Sequence, residues 1–198
     1  MDSRRTQVIH PSYIALTLVL FGITSLFLGL SASYIYQRVQ TGAPPIELPS
    51  LFYYNTLLLL GSSYTLIMAH KMYLQDNTRA YQGYLIATLL LTLGFLACQI
   101  LAWNQLRSQE IFVNYSNMAS YIYLISAVHL LHVVAGIPFI GIFIYTSIKK
   151  MKTPVSVLVY FSDPARRRKL KLLSWYWHFL DGLWIYLILF FIINYMIK

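Results

Sequence analysis

Five long apolar runs separated by short polar stretches organise this chain: from about Ser12 to Tyr36, Phe52 to Ala69, Tyr84 to Trp103, Met118 to Ile148 and Leu172 to Ile197. Crossing a hydrocarbon core of about 30 Å takes roughly 20 helical residues, so every run has a length suited to spanning. Lipid offers the backbone no hydrogen-bond partners, and each run therefore predicts a transmembrane α-helix. The links carry turn residues: Gly42-Ala43-Pro44-Pro45 after the first run, Asp76-Asn77 after the second and Ser116-Asn117 before the fourth. Links this short predict antiparallel neighbours. No internal repeat and no low-complexity segment interrupts the pattern, which disfavours an inverted-repeat transporter. The expectation is an all-α polytopic membrane protein, one bundle of five transmembrane helices over residues 1–198.

Composition agrees with lipid as the solvent. Hydrophobic residues make up 58% of the 198 and charged residues 11%, against about 25% charged in an ordinary soluble domain. The formal net charge of +9 would raise nucleic acid for a soluble protein. Here most of the excess falls in one loop, where it reads as a topology signal and a contact surface for anionic lipid, with no nucleic acid involved. Arg4, Arg5, Lys71, Arg79, Lys149, Lys150, Lys152, Arg166, Arg167, Arg168, Lys169 and Lys171 fall on one side of the predicted spans, and only Arg38, Arg107 and Lys198 on the other. The positive side faces the cytoplasm. This predicts a cytoplasmic N-terminus, a cytoplasmic loop from Lys149 to Lys171 and a C-terminus on the opposite, periplasmic side. Tyr13, Tyr34, Tyr36, Tyr53, Tyr54, Trp103, Tyr115 and Tyr195 near the ends of the runs fit interfacial aromatic belts. The first run is too long for a signal peptide and lacks a cleavage site, so the first helix is expected to stay. Cys98, the single cysteine, excludes an intrachain disulfide and cysteine-rich metal motifs.

Among the six acids only Asp181 falls inside a predicted helix. A carboxylate at that depth is costly, so it should face protein and have a partner, or be protonated. His178 precedes it at the i, i+3 spacing that puts both side chains on one face. The pair reads either as a proton-relay step or as a fixed hydrogen-bonded pair that docks the helix. A relay calls for further acids or hydroxyls leading to both surfaces, and no second intramembrane carboxylate exists, which favours docking. His129 and His132 share a face of the fourth helix, and His178 could face either one across the bundle, so a haem held between two of them is a possible arrangement. A metal would want further ligands, with only Cys98 and Asp181 to supply them. Asn55, Thr56, Ser62, Ser63 and Thr65 in the second helix, and Thr88, Thr92, Gly94 and Gln99 in the third, suit close helix packing with hydrogen bonds across the interface. No nucleophile–base pair, phosphate loop or nucleotide fingerprint is present.

The last helix opens with Trp175-Tyr176-Trp177-His178-Phe179-Leu180-Asp181-Gly182-Leu183-Trp184. It resembles subunit III of the haem-copper terminal oxidases, whose final helix carries Trp-His-Phe-(Val/Leu)-Asp-x-x-Trp. Further similarities follow in order: Leu48-Pro49, Asn55-Thr56, Ser62-Ser63 with Thr65, Ala69-His70, Leu93-Gly94-Phe95 with Gln99, and Ala127-Val128-His129-Leu130-Leu131-His132-Val133. The resemblance covers the second to fifth helices well and the first loosely. Two departures stand out. The family's acid in the helix matching the first one here is missing from Phe21-Gly22-Ile23-Thr24-Ser25-Leu26-Phe27, and Ala102 stands beside Trp103 where the family has another acid. Roles in proton supply given to those acids cannot apply here.

The resemblance implies a five-helix bacterial form of subunit III, lacking the first two of seven helices, in a bacterial plasma membrane. It implies a non-catalytic core subunit of a proton-pumping oxidase, most simply a cytochrome c oxidase in aerobic electron transport. Haems and copper would sit in subunits I and II, bound phospholipid would lie against this chain, and a larger respiratory supercomplex is a further possible partner. No catalytic, cofactor-binding or metal residue is expected in this chain. The residues expected to carry structural or interface roles are Asn55, Ser62, Ser63, Gln99, His129, His132, Trp177, His178, Asp181 and Trp184. The same subunit in a quinol oxidase is the nearest alternative, and an independent haem-b carrier or small membrane transporter is the alternative of another class.

Overall fold

The structure is a computed structural model that describes residues 10–42, 44 and 46–197. Arg4, Arg5, Lys198 and the turn residues Ala43 and Pro45 lie outside the described residues. Among the described residues the chain forms six α-helices: α1 (Pro11–Thr41), α2 (Leu51–Leu74), α3 (Thr78–Ser108), α4 (Asn117–Lys150), α5 (Pro154–Ser162) and α6 (Pro164–Met196). Four of these, α1, α3, α4 and α6, are long and apolar enough to cross a membrane. The 24-residue α2 has the length, but Asn55, Thr56, Ser62, Ser63 and Thr65 dilute its hydropathy.

The helices outrun the apolar runs because hydropathy marks the lipid-immersed part, whereas caps decide where the backbone stops being helical. Asn77 caps α3 by accepting from the Ala80 N–H at 3.1 Å, and Ser116 caps α4 by accepting from Ala119 at 3.1 Å. α1 runs on to Gly42, whose φ of 59° gives the left-handed turn that glycine adopts without a Cβ clash. The short α5 is absent from the five-run pattern, and α6 starts at Pro164 instead of about Leu172. Local chemistry explains both: Thr153 and Ser156 form a capping box around Pro154 at the start of α5, and Asp163 accepts from the Ala165 N–H at 2.9 Å with Pro164 at the first helical position of α6.

α2 and α3 pack along their lengths as the antiparallel pair expected from their short link. α1 departs from that rule, making its main contacts with α4 and α6 and not with the helix that follows it. Phe27 and Tyr34 anchor it: Phe27 lies against His129 and His132 with ring centroids 6.4 and 6.0 Å away, and Tyr34 meets Tyr121, Phe190 and Phe191 edge-on. At one end the Arg38 guanidinium donates to the Asn194 and Ile197 carbonyl oxygens, closing α1 onto the end of α6.

Candidate functional site

The polar residues inside the bundle concentrate where α2 crosses α6. Trp184 Nε1–H donates to Thr56 Oγ1 at 3.2 Å, and Trp177 Nε1–H donates to Ser62 Oγ at 3.3 Å. Ser63 Oγ lies 2.7 Å from His178 Nδ1. Both hydroxyls that receive an indole N–H pass their own proton to the backbone of α2, Thr56 to the Phe52 carbonyl at 3.1 Å and Ser62 to the Leu59 carbonyl at 3.0 Å. A hydroxyl carries one donor and two lone pairs, so each can serve its own helix and the partner together. Thr56, near the start of α2, meets Trp184, whereas Ser62 and Ser63, further along α2, meet Trp177 and His178, nearer the start of α6, so the three rungs form an antiparallel ladder.

Trp184, at one end of this ladder, is where four helices meet. Its ring stacks on Phe52 with centroids 5.7 Å apart and 14° between planes, and Phe95 meets it edge-on at 5.2 Å. The His129 ring lies 5.0 Å away. One indole thus joins α2, α3, α4 and α6. Asn55 Nδ2–H donates to Gln99 Oε1 at 2.8 Å, and the Thr65 and Thr88 hydroxyls lie 2.8 Å apart, adding two polar ties between α2 and α3.

The histidines and Asp181 sit differently from the simplest expectation. His178 and Asp181 do share a face of α6, but Nδ1 and Oδ2 are 3.9 Å apart, beyond hydrogen-bond reach. The imidazole is instead held on both sides, by Ser63 of α2 and by Ser174 Oγ at 3.0 Å from Nε2. A Ser hydroxyl can donate to or accept from an imidazole nitrogen, so Ser63 can pair with Nδ1 in either tautomer. Asp181 is 5% exposed, and its Oδ2 has no hydrogen-bond partner. His129 Nε2–H donates to the Leu180 carbonyl at 3.1 Å, and His132 Nδ1–H to the Val128 carbonyl of its own helix at 2.7 Å. The arrangement of His178 facing His129 or His132 is replaced by three rings with separate partners. Among the described residues no group of three or more His, Cys, Asp or Glu is placed to hold a metal ion.

Two contributors escaped the sequence reading. Ser174 is signalled only by its i, i+4 spacing to His178, and Gly136 of α4 by nothing except being a glycine in a span. A Cβ at Gly136 would come within 2.6 Å of Trp177 Cζ3, so the absent side chain is what lets α4 and α6 approach. Tyr176 uses that approach, its hydroxyl donating to the His132 carbonyl at 2.8 Å.

The residues forming this ladder lie within the stretch matched by a family model. The model for cytochrome c oxidase subunit III covers residues 34–196. The chain belongs to the cytochrome c oxidase subunit III family. A probable cytochrome c oxidase subunit 3 of Mycobacterium tuberculosis is 31% identical over 166 residues, covering 80% of this chain and 76% of the relative. Cytochrome c oxidase subunit 3 of Artemia franciscana is 31% identical over 174 residues, covering 85% and 62% respectively. Cytochrome bo(3) ubiquinol oxidase subunit 3 of Pseudomonas putida is 30% identical over 131 residues, covering 66% and 58%. As a member of the subunit III family, the chain is one component of a haem-copper oxidase complex, a class of enzyme that pumps protons. The final-helix motif from Trp177 to Trp184 is therefore read as the α2–α6 ladder of an oxidase subunit.

Proposed function

We propose that this chain is a non-catalytic, five-span scaffold subunit of a proton-pumping cytochrome c oxidase in a bacterial plasma membrane, packed against subunits I and II and against phospholipid. The observation that carries the reading is the use of the motif's polar atoms. Trp177, His178 and Trp184 spend their ring nitrogens on Ser62, Ser63, Ser174 and Thr56. Groups committed to holding helices together support a structural contribution to subunit I and to its sustained proton uptake. Haems and copper belong to the partner subunits in this reading.

The test is purification of the native complex through this chain. Haem-copper absorbance and oxygen consumption are expected in the same fraction, and a native complex lacking both would sink the proposal. The Pseudomonas putida relative supports a second reading, in which the same subunit serves a quinol oxidase. Subunit II discriminates the two: a copper-binding cysteine pair in the co-purifying subunit indicates cytochrome c as donor, and its absence indicates quinol.

A further inference from the structure

The nine residues of α5, Pro154–Ser162, contain no charged side chain. They are bracketed by Lys149, Lys150 and Lys152 before and by Arg166, Arg167, Arg168, Lys169 and Lys171 after. One face of the helix is anchored. Tyr160 and Phe161 are buried against Tyr73 of α2 and Tyr81 of α3, and the Tyr73 hydroxyl donates to the Tyr160 carbonyl at 3.2 Å. The other face is bare: Val155, Leu158 and Val159, which share a side at i, i+3 and i+4, are 73%, 63% and 65% exposed. Beside them a groove of about 620 Å³ opens towards the start of α3, walled by Met151, Val157 and Leu158 and rimmed by Arg79 and Lys152 next to Asp76.

An apolar helix face edged by cations is the pattern of a helix lying in the plane of a membrane interface, with its side chains among the upper acyl segments and its charges at phosphate level. We propose that α5 and the adjoining groove form a docking surface for anionic phospholipid of the leaflet they face. This rests on the reading of the Lys149–Lys171 loop as cytoplasmic, where the leaflet carries anionic lipid. Charge selects the occupant. Between residues 149 and 171 the one acid, Asp163, is already 3.2 Å from Arg166, so a protein partner would have to bring its own matched set of carboxylates. A fluid anionic leaflet supplies many negative charges without fixed geometry.

The experiment uses the whole oxidase complex carrying Leu158→Cys with Cys98→Ser, nitroxide-labelled at position 158, in nanodiscs of phosphatidylcholine alone or with 30% phosphatidylglycerol. Oxygen is expected to relax the nitroxide several-fold more than a water-soluble nickel chelate does. Label mobility should fall about twofold when phosphatidylglycerol is present, and that difference should vanish on replacing Lys149, Lys150 and Lys152 by Gln. Dominant chelate access would place α5 in water, and exclusion of both relaxants would place it beneath another subunit; either result overturns the proposal. Equal mobility in the two lipids overturns its anionic selectivity. Val155→Cys gives the same readout should position 158 perturb assembly, which the haem spectrum reports. Reaction of the unlabelled cysteine with an impermeant maleimide in intact cells would instead refute the cytoplasmic placement, a failure separable from loss of lipid contact.

Discussion

At the scale of single residues, the bundle's tolerance is set by where one atom more or less matters. Gly136→Ala adds a methyl where Trp177 already occupies the space, and Trp177 is held by Ser62 and cannot swing away without losing its indole hydrogen bond. Overpacking of this kind costs about 1–3 kcal/mol. The expected outcome is a lower SDS concentration at the unfolding midpoint of the purified chain, whereas Gly141→Ala, with open space around it, should leave the midpoint where it is. Asp181 poses a different question, since its carboxyl is buried with Oδ2 lacking a partner. Asp181→Asn keeps the shape and removes the ionisable group, and His178 keeps its partners Ser63 and Ser174 in the variant. We expect less assembled complex, or activity that decays sooner in turnover, with haem content per complex unchanged. A variant that assembles fully yet consumes oxygen without pumping protons would refute this and restore the proton-relay reading of the His178–Asp181 pair.

At the scale of helices, the α2–α6 ladder predicts measurable coupling between specific partners. Hydrogen bonds between membrane helices average about 0.6 kcal/mol in double-mutant cycles, because the separated helices also find partners. Ser62→Ala and Trp177→Phe should therefore couple by about that amount in SDS unfolding, while Ser62→Ala with Trp103→Phe should be additive, since Trp103 bonds to Ser126 on a different helix pair. The composition of α2 and α3 was legible in sequence as packing chemistry: hydroxyls and amides at apolar depth have few other uses. Asn55 of α2 and Gln99 of α3 lie 2.8 Å apart, a pairing that spacing alone does not specify. The partners were less legible. Periodicity puts His178 and Asp181 on one face but is silent on which hydroxyl of another helix arrives between residues separated by more than a hundred positions. Hydropathy likewise could not see α5, because nine residues are too few to cross a bilayer and its definition comes from the Thr153–Ser156 and Asp163 caps. The placement of α1 against α4 and α6 was hidden for a similar reason, since link length bounds how far a helix can travel without choosing its neighbour.

For the whole molecule, the decisive quantity is the number of crossings, because parity fixes the side of everything after α2. If α2 crosses, five spans follow a cytoplasmic N-terminus, and the eight Lys and Arg residues between positions 149 and 171 stay inside. If α2 does not cross, the same start puts that basic loop outside and the C-terminus inside, against the charge rule for short loops. The physical case for crossing is that α2's polar side chains are not offered to lipid. Asn55 and Ser62 are 0% exposed, and Thr56, Ser63 and Thr65 bond to α6 or α3, so the helix enters lipid as part of a bundle whose outward surface there is Leu57, Leu60, Tyr64 and Ile67, with Tyr53 and Tyr54 outward at its start. Single cysteines in a Cys98→Ser chain measure the parity. With five crossings, Asn114→Cys reacts with an impermeant maleimide in intact cells and Lys152→Cys reacts only after permeabilisation. Four crossings reverse both results together, which separates a wrong span count from a merely shielded cysteine, since shielding silences one position without exposing the other.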